Sequence, residues 1–251
     1  MKNVILTLFL ASFLFASCGE KKEGKEEAKK ESKEEVTAKN DVMTQELQQA
    51  KTPAKIIEVL KEGNAKFVKG DLTFTDYPKQ IIKTSTGQFP SVVVLSCLDS
   101  RVPVEKVFDL GIGDVFVARV AGNIVNPDIL ASIEYGCKVV GSKLVVVLGH
   151  TECGAVKAAI DDVKLGNITE LLEKIKPAVD SLSKFEGEKT SKNVKFVNEV
   201  TVENVDVAMD NIRKNSPILK EMEEKGEIDI IGGMYDVNTC LLYTSDAADE
   251  L

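Results

Sequence analysis

Four short apolar runs, Val92–Leu95, Val115–Ala118, Leu144–Leu148 and Ile228–Ile231, punctuate the chain, with stretches of helical periodicity between them. Runs of this length suit strands that are buried on both faces. The intervening patterns, among them Asp128–Val140, Ala155–Asp162 and Val202–Lys214, suit crossover helices. This alternation predicts an α/β fold with a four-stranded, mostly parallel sheet flanked by helices. A further helix is expected ahead of the sheet, with Thr52 as cap, Pro53 in its first turn, and Ile56, Ile57, Leu60, Phe67 and Val68 on one broad face. Ligands of such sheets sit beyond the carboxyl ends of the strands.

Two runs end in reactive side chains. "SCLDSRV" follows the first and sets Cys97, Asp99 and Arg101 at alternate positions, while "GHTECGAV" closes the third with His150 and Cys153. Two thiols and an imidazole at strand ends suggest zinc, which favours sulfur and nitrogen ligands and leaves a fourth position open at catalytic sites. His150 is the only histidine among 251 residues, so no second imidazole is there to fill that position. Cys137 lies inside a helical pattern beside Val139 and reads as a small buried apolar residue. Asp99 can face the same mouth, with Arg101 as a bidentate partner that keeps it ionised. Its role is then either acceptor for a zinc-bound hydroxide or fourth ligand in a closed state. Zinc lowers the pKa of bound water to about 7, so attack on a small electrophilic carbon is the natural reaction.

Cys-x-Asp-x-Arg followed by His-x-x-Cys resembles the β-class carbonic anhydrases. The resemblance runs from about Thr52 to Thr239, with "GNAKFVKG", "GQFP", "GDVFVARVAGN" and "ASIEYG" in the family's order. It implies reversible hydration of CO2 to bicarbonate and a proton, one Zn2+ per chain on Cys97, His150 and Cys153, and Asp99 and Arg101 as the dyad. Gln88 matches the family's substrate-site glutamine, and Phe116 a pocket-wall aromatic. Tyr135 matches an aromatic donated across a dimer interface, which implies a homodimer or larger homo-oligomer. Two positions depart from the pattern: Val120 stands where an Asn is usual, and Val94 stands where members with a non-catalytic bicarbonate site carry Trp. Alternatives are a carbonyl sulfide or carbon disulfide hydrolase on the same scaffold, or a non-catalytic, lipid-tethered zinc-binding protein.

The ends of the chain read differently. Residues 1–17 have a lysine, a short apolar stretch and small residues before Cys18, as in the signal of a bacterial lipoprotein. Export is therefore expected, with lipid on Cys18 anchoring the protein to the membrane at the cell envelope. Residues 18–40, almost purely Glu and Lys in their first half, form a solvated tether. The carbonic anhydrase-like domain is expected over 41–239. The last stretch, 240–251, resembles translated sequencing adapter and is expected to be non-native. A net charge of −8 and the absence of Trp argue against a nucleic-acid surface or a stacking platform.

Overall fold

A computed structural model of the protein describes residues 41–243. The signal, the tether with Cys18, and residues 244–251 of the expected non-native stretch lie outside that range. Among the described residues no helix is long and apolar enough to cross a membrane.

Five strands form one sheet: β1 (Val92–Ser96), β2 (Val115–Arg119), β3 (Leu144–His150), β4 (Asp229–Tyr235) and β5 (Leu242–Tyr243). Their order is β2-β1-β3-β4-β5; the first four are parallel, and β5 pairs antiparallel with β4. The expected four-stranded parallel sheet is present, with one short strand added at its edge. From β1 the chain moves first to one side, to β2, and then crosses to the other, to β3. The carboxyl ends of β1 and β3 therefore flank the point where the winding reverses, the place where sheets of this kind bind their ligands.

Every residue of β1 and β3 is buried. Side chains alternate between two cores, as the strand period of two requires. Val93, Leu95, Val145 and Val147 face one side with Ile133, Val205 and Ile212. Val92, Val94, Val146 and Leu148 face the other with Ile56, Leu60 and Phe108. Helix Pro53–Lys69 supplies Ile56 and Leu60, and it starts as expected, with Thr52 Oγ1 accepting from the Lys55 N–H at 3.3 Å.

Three of the expected elements change most. The fourth strand runs on to Tyr235 because Gly232 and Gly233, which interrupt its apolar pattern, still pair with Val147 and Leu148. These glycines answer to helix Val194–Asn215, which lies so close to the sheet that a Cβ on Gly232 would meet Val205 at 2.7 Å. That helix begins at Val194 rather than Val202, with the Asn193 side chain as its cap. The pattern over Asp128–Val140 divides into an α-helix, Pro127–Glu134, and a π-helical turn, Tyr135–Val140. Gly136 allows this turn to touch the sheet, since a Cβ there would lie 2.6 Å from Val93.

Candidate metal centre

Cys97 is the first residue beyond β1 and His150 the last of β3, so parallel register brings them to the same sheet edge. The chain then turns through Thr151 and Glu152, and Cys153 opens helix Gly154–Ile160. Glu152 takes a left-handed backbone, φ +60°, which folds the Cys153 side chain back toward the strand ends. The ligand atoms of Cys97, His150 and Cys153 all lie within 4.8 Å of one another, and all three residues are buried. Cys97 and Cys153 sit against Ile124, Val156 and Ile175 in a third apolar cluster, which keeps bulk water from the thiols.

His150 Nδ1 lies 2.8 Å from the Thr151 carbonyl. A carbonyl only accepts, so Nδ1 carries the proton and Nε2 presents a lone pair. Buried Nε2 has no hydrogen-bond partner among the described residues. A buried acceptor without a partner is costly, and a cation resolves that cost. The thiols favour the same answer. Hydrogen bonding from Cys153, with help from the Gly122 N–H at 3.3 Å, pulls the Cys97 thiol well below its usual range. Cys153 is pushed up by its bond to Cys97 and by burial. The pair thus already favours one thiolate, and two sulfurs with one imidazole nitrogen make a soft donor set that fits zinc.

Asp99 borders this space, with Oδ2 3.9 Å from His150 Nε2. Arg101 grips it three times: backbone N and Nε donate to Oδ1 at 2.9 and 3.0 Å, and Nη2 donates to Oδ2 at 2.8 Å. These bonds bring the carboxyl down to about 2, so it is ionised at neutral pH. Arg101 also reaches the Glu152 carbonyl, at 3.3 Å, and so ties the two ligand-bearing segments together.

Sequence reasoning passed over Arg119. Ending β2 in register with Ser96, it donates from Nε to the Cys97 carbonyl at 3.0 Å and from Nη2 to the Asp99 carbonyl at 2.5 Å. A lone guanidinium closing the apolar run "VFVAR" is the signal that could have found it. Cys137 is buried as expected, and burial pushes its thiol up to about 12.

Gln88, Phe116 and Tyr135 stand apart from this cluster within one chain. Gln88 is exposed in the loop before β1, at the amino end of the sheet. Phe116 and Tyr135 line one groove with Val93, Ile129 and Ser132 along β2, the open edge of the sheet. Phe116 pairs with Val93, four residues before Cys97, or ~13 Å at the rise of a strand.

The carbonic anhydrase family profile matches residues 92–242. Carbonic anhydrase 2 of Mycobacterium tuberculosis is 41% identical over 136 residues, covering 51% of this chain and 64% of that protein. The matched region thus spans a little under two thirds of that relative's length. Among solved structures, tetrameric β-carbonic anhydrases of Sordaria macrospora align at TM-score 0.59 and 26% identity, over 66% of this chain and 86% of the other. The β-carbonic anhydrase CafA of Aspergillus fumigatus aligns at TM-score 0.60 and 28% identity, over 78% and 91%. With this sheet order and this cluster of two thiols and an imidazole, the chain belongs to the carbonic anhydrase family, in its β class.

Proposed function

We propose that the protein is a zinc-dependent carbonic anhydrase that interconverts CO2 and water with bicarbonate and a proton. The partnerless Nε2 of buried His150, facing two buried thiols beside an ionised carboxylate, carries the reading. Cys97, His150 and Cys153 would hold the ion, which supplies Lewis acidity that brings the pKa of water to about 7. Asp99, ionised and 3.9 Å from His150 Nε2, is placed to accept a hydrogen bond from a water at that site and would orient it toward the CO2 carbon. Arg101 keeps Asp99 ionised and aimed, and Arg119 holds the backbone that carries both Cys97 and Asp99. His150 is fully engaged as a ligand, so the proton leaves through water and buffer.

The apolar groove of Phe116 and Tyr135 is the wall we assign to the substrate, and a second copy of the chain brings it, with Gln88, to the thiol end of the first. Tyr135 is exposed at the groove's rim, as a residue offered to a neighbour must be. Light scattering should give a dimer or larger species; a monomer that is fully active would contradict this assignment. Export and lipid anchoring through Cys18 rest on the sequence of residues 1–18. Cys18→Ala should move the protein from the membrane to the soluble fraction of cells, and unchanged membrane association would sink that idea. The enzymatic reading is tested by hydration of CO2 on the zinc-loaded protein. Hydrolysis of carbonyl sulfide without CO2 hydration would replace it, and inactivity toward both would leave a zinc-binding role.

A further inference from the structure

The chain's one imidazole is fixed through a backbone carbonyl, and that carbonyl is fixed in turn by the segment leaving β4. Strands β3 and β4 end in register, with His150 opposite Tyr235. The ladder continues one step beyond them, as the Thr151 N–H donates to the Tyr235 carbonyl at 3.0 Å. The Thr151 hydroxyl then makes two further bonds. Its Oγ1 accepts from the Val237 N–H at 3.0 Å and donates to Asp236 Oδ1 at 3.2 Å. Asp236 Oδ1 also accepts from the Asn238 N–H at 2.8 Å and from Asn238 Nδ2 at 3.1 Å, so the acceptor is itself held in place.

We propose that Thr151 and Asp236 are positioning residues for the metal centre. Their contact keeps the Thr151 carbonyl on His150 Nδ1 and so keeps the Nε2 lone pair aimed between the two thiols. The inference rests on reading Cys97, His150 and Cys153 as metal ligands. Its physical basis is the peptide that joins Thr151 to Glu152. Glu152 sits at φ +60°, a conformation that non-glycine residues disfavour. Rotating that peptide plane would relieve Glu152 and swing the Thr151 carbonyl off Nδ1. The Thr151 N–H and its buried hydroxyl, bonded to Tyr235, Val237 and Asp236, anchor the residue from which that carbonyl projects, so that it reaches Nδ1 from one fixed position. The partner of a ligating imidazole fixes its tautomer and orientation, and losing such support typically costs 10–100-fold in metal affinity. Here the support is a relay through Asp236, Thr151 and its carbonyl, which makes the segment after β4 part of the centre.

The test uses the full chain, first metal-free and then zinc-loaded. A single histidine gives a single imidazole in long-range 1H–15N correlation spectra, so its tautomer is read without assignment. At pH 8 the wild-type protein should show the Nδ1–H form. Thr151→Val should give a mixture of tautomers and release zinc to a chelating dye about 10–100-fold faster. Asp236→Ala should shift both readouts in the same direction, and Thr151→Ser, which keeps the hydroxyl, should restore both. Thermal unfolding identifies folded variants, and Asp236→Ala carries the test if Thr151→Val does not fold. Folded Thr151→Val or Asp236→Ala protein with wild-type tautomer and wild-type zinc release would overturn the proposal. A wild-type chain that binds no zinc would instead overturn the metal reading, while the tautomer still decides the positioning role.

Discussion

Asp99 is held by three hydrogen bonds from one neighbour, and its ionisation follows from them. Arg101→Met removes the two side-chain bonds and lets the carboxyl rise toward its ordinary value of 3.8. A depressed carboxyl contributes stability that is complete above the unfolded value and lost as pH falls through the folded one. The difference in urea midpoint between wild type and Arg101→Met should therefore be full at neutral pH, shrink as pH falls through about 3.8, be small at 2 and vanish below it. A difference that stays constant down to pH 2 would contradict the assigned cause. At this scale the sequence was highly legible, because Cys97, Asp99 and Arg101 are near neighbours in the chain and share one strand end. Arg119 showed only as a guanidinium closing an apolar run; its contacts, and the bond between Thr151 and Asp236, were not legible. Each acts across a distance in sequence that only strand register closes, and neither contact leaves a local spacing to read.

Among the elements, β5 shows what a pattern of apolar runs cannot announce. It has two residues, and its attachment depends on an amide from another element. Asn64, buried on helix Pro53–Lys69, donates from Nδ2 to the Cys240 carbonyl at 3.0 Å and to the Val107 carbonyl at 3.3 Å, and its Oδ1 accepts from the Leu242 N–H at 3.2 Å. These bonds engage backbone atoms of the later segment, and Leu242 adds one buried apolar side chain. Such attachment asks little of residues 240–243, which fits the proposal that 240–251 is a non-native stretch. Genomic resequencing that returned the same codons would contradict that proposal. Asn64→Ala strands buried carbonyl and N–H groups, and should cost about 2 kcal/mol in chemical denaturation. An unchanged midpoint would mean that β5 is not held this way. Parallel strands and crossover helices were legible because each carries its own periodicity; the extension of β4 through Gly232 and Gly233 was hidden because glycine suits close packing there rather than apolar pattern.

For the whole molecule, winding order and register do the positioning. The reversal between β1 and β3 brings two distant thiols and the imidazole to one edge, while β2 carries the apolar groove toward the other end of the sheet. One chain thus presents a candidate metal site and a candidate substrate wall that do not meet, and the proposed homo-oligomer, in which copies exchange these surfaces, would reconcile them. The cluster of Cys97, His150 and Cys153 was readable from the sequence, and the resemblance already gave Tyr135 to a neighbour; that Gln88 and Phe116 also stand apart from the thiols within one chain was not, since residue order does not show which surface faces a neighbour. The proposed function turns on Asp99, which would orient water at the ion that Cys97, His150 and Cys153 would hold. Stopped-flow CO2 hydration from about pH 6.5 to 9, on wild type and Asp99→Asn with matched zinc content, tests it most directly. Wild type should hydrate CO2 rapidly, and the variant should lose at least about 100-fold, in line with removal of a positioned acid–base group. Equal rates at equal zinc content would contradict it.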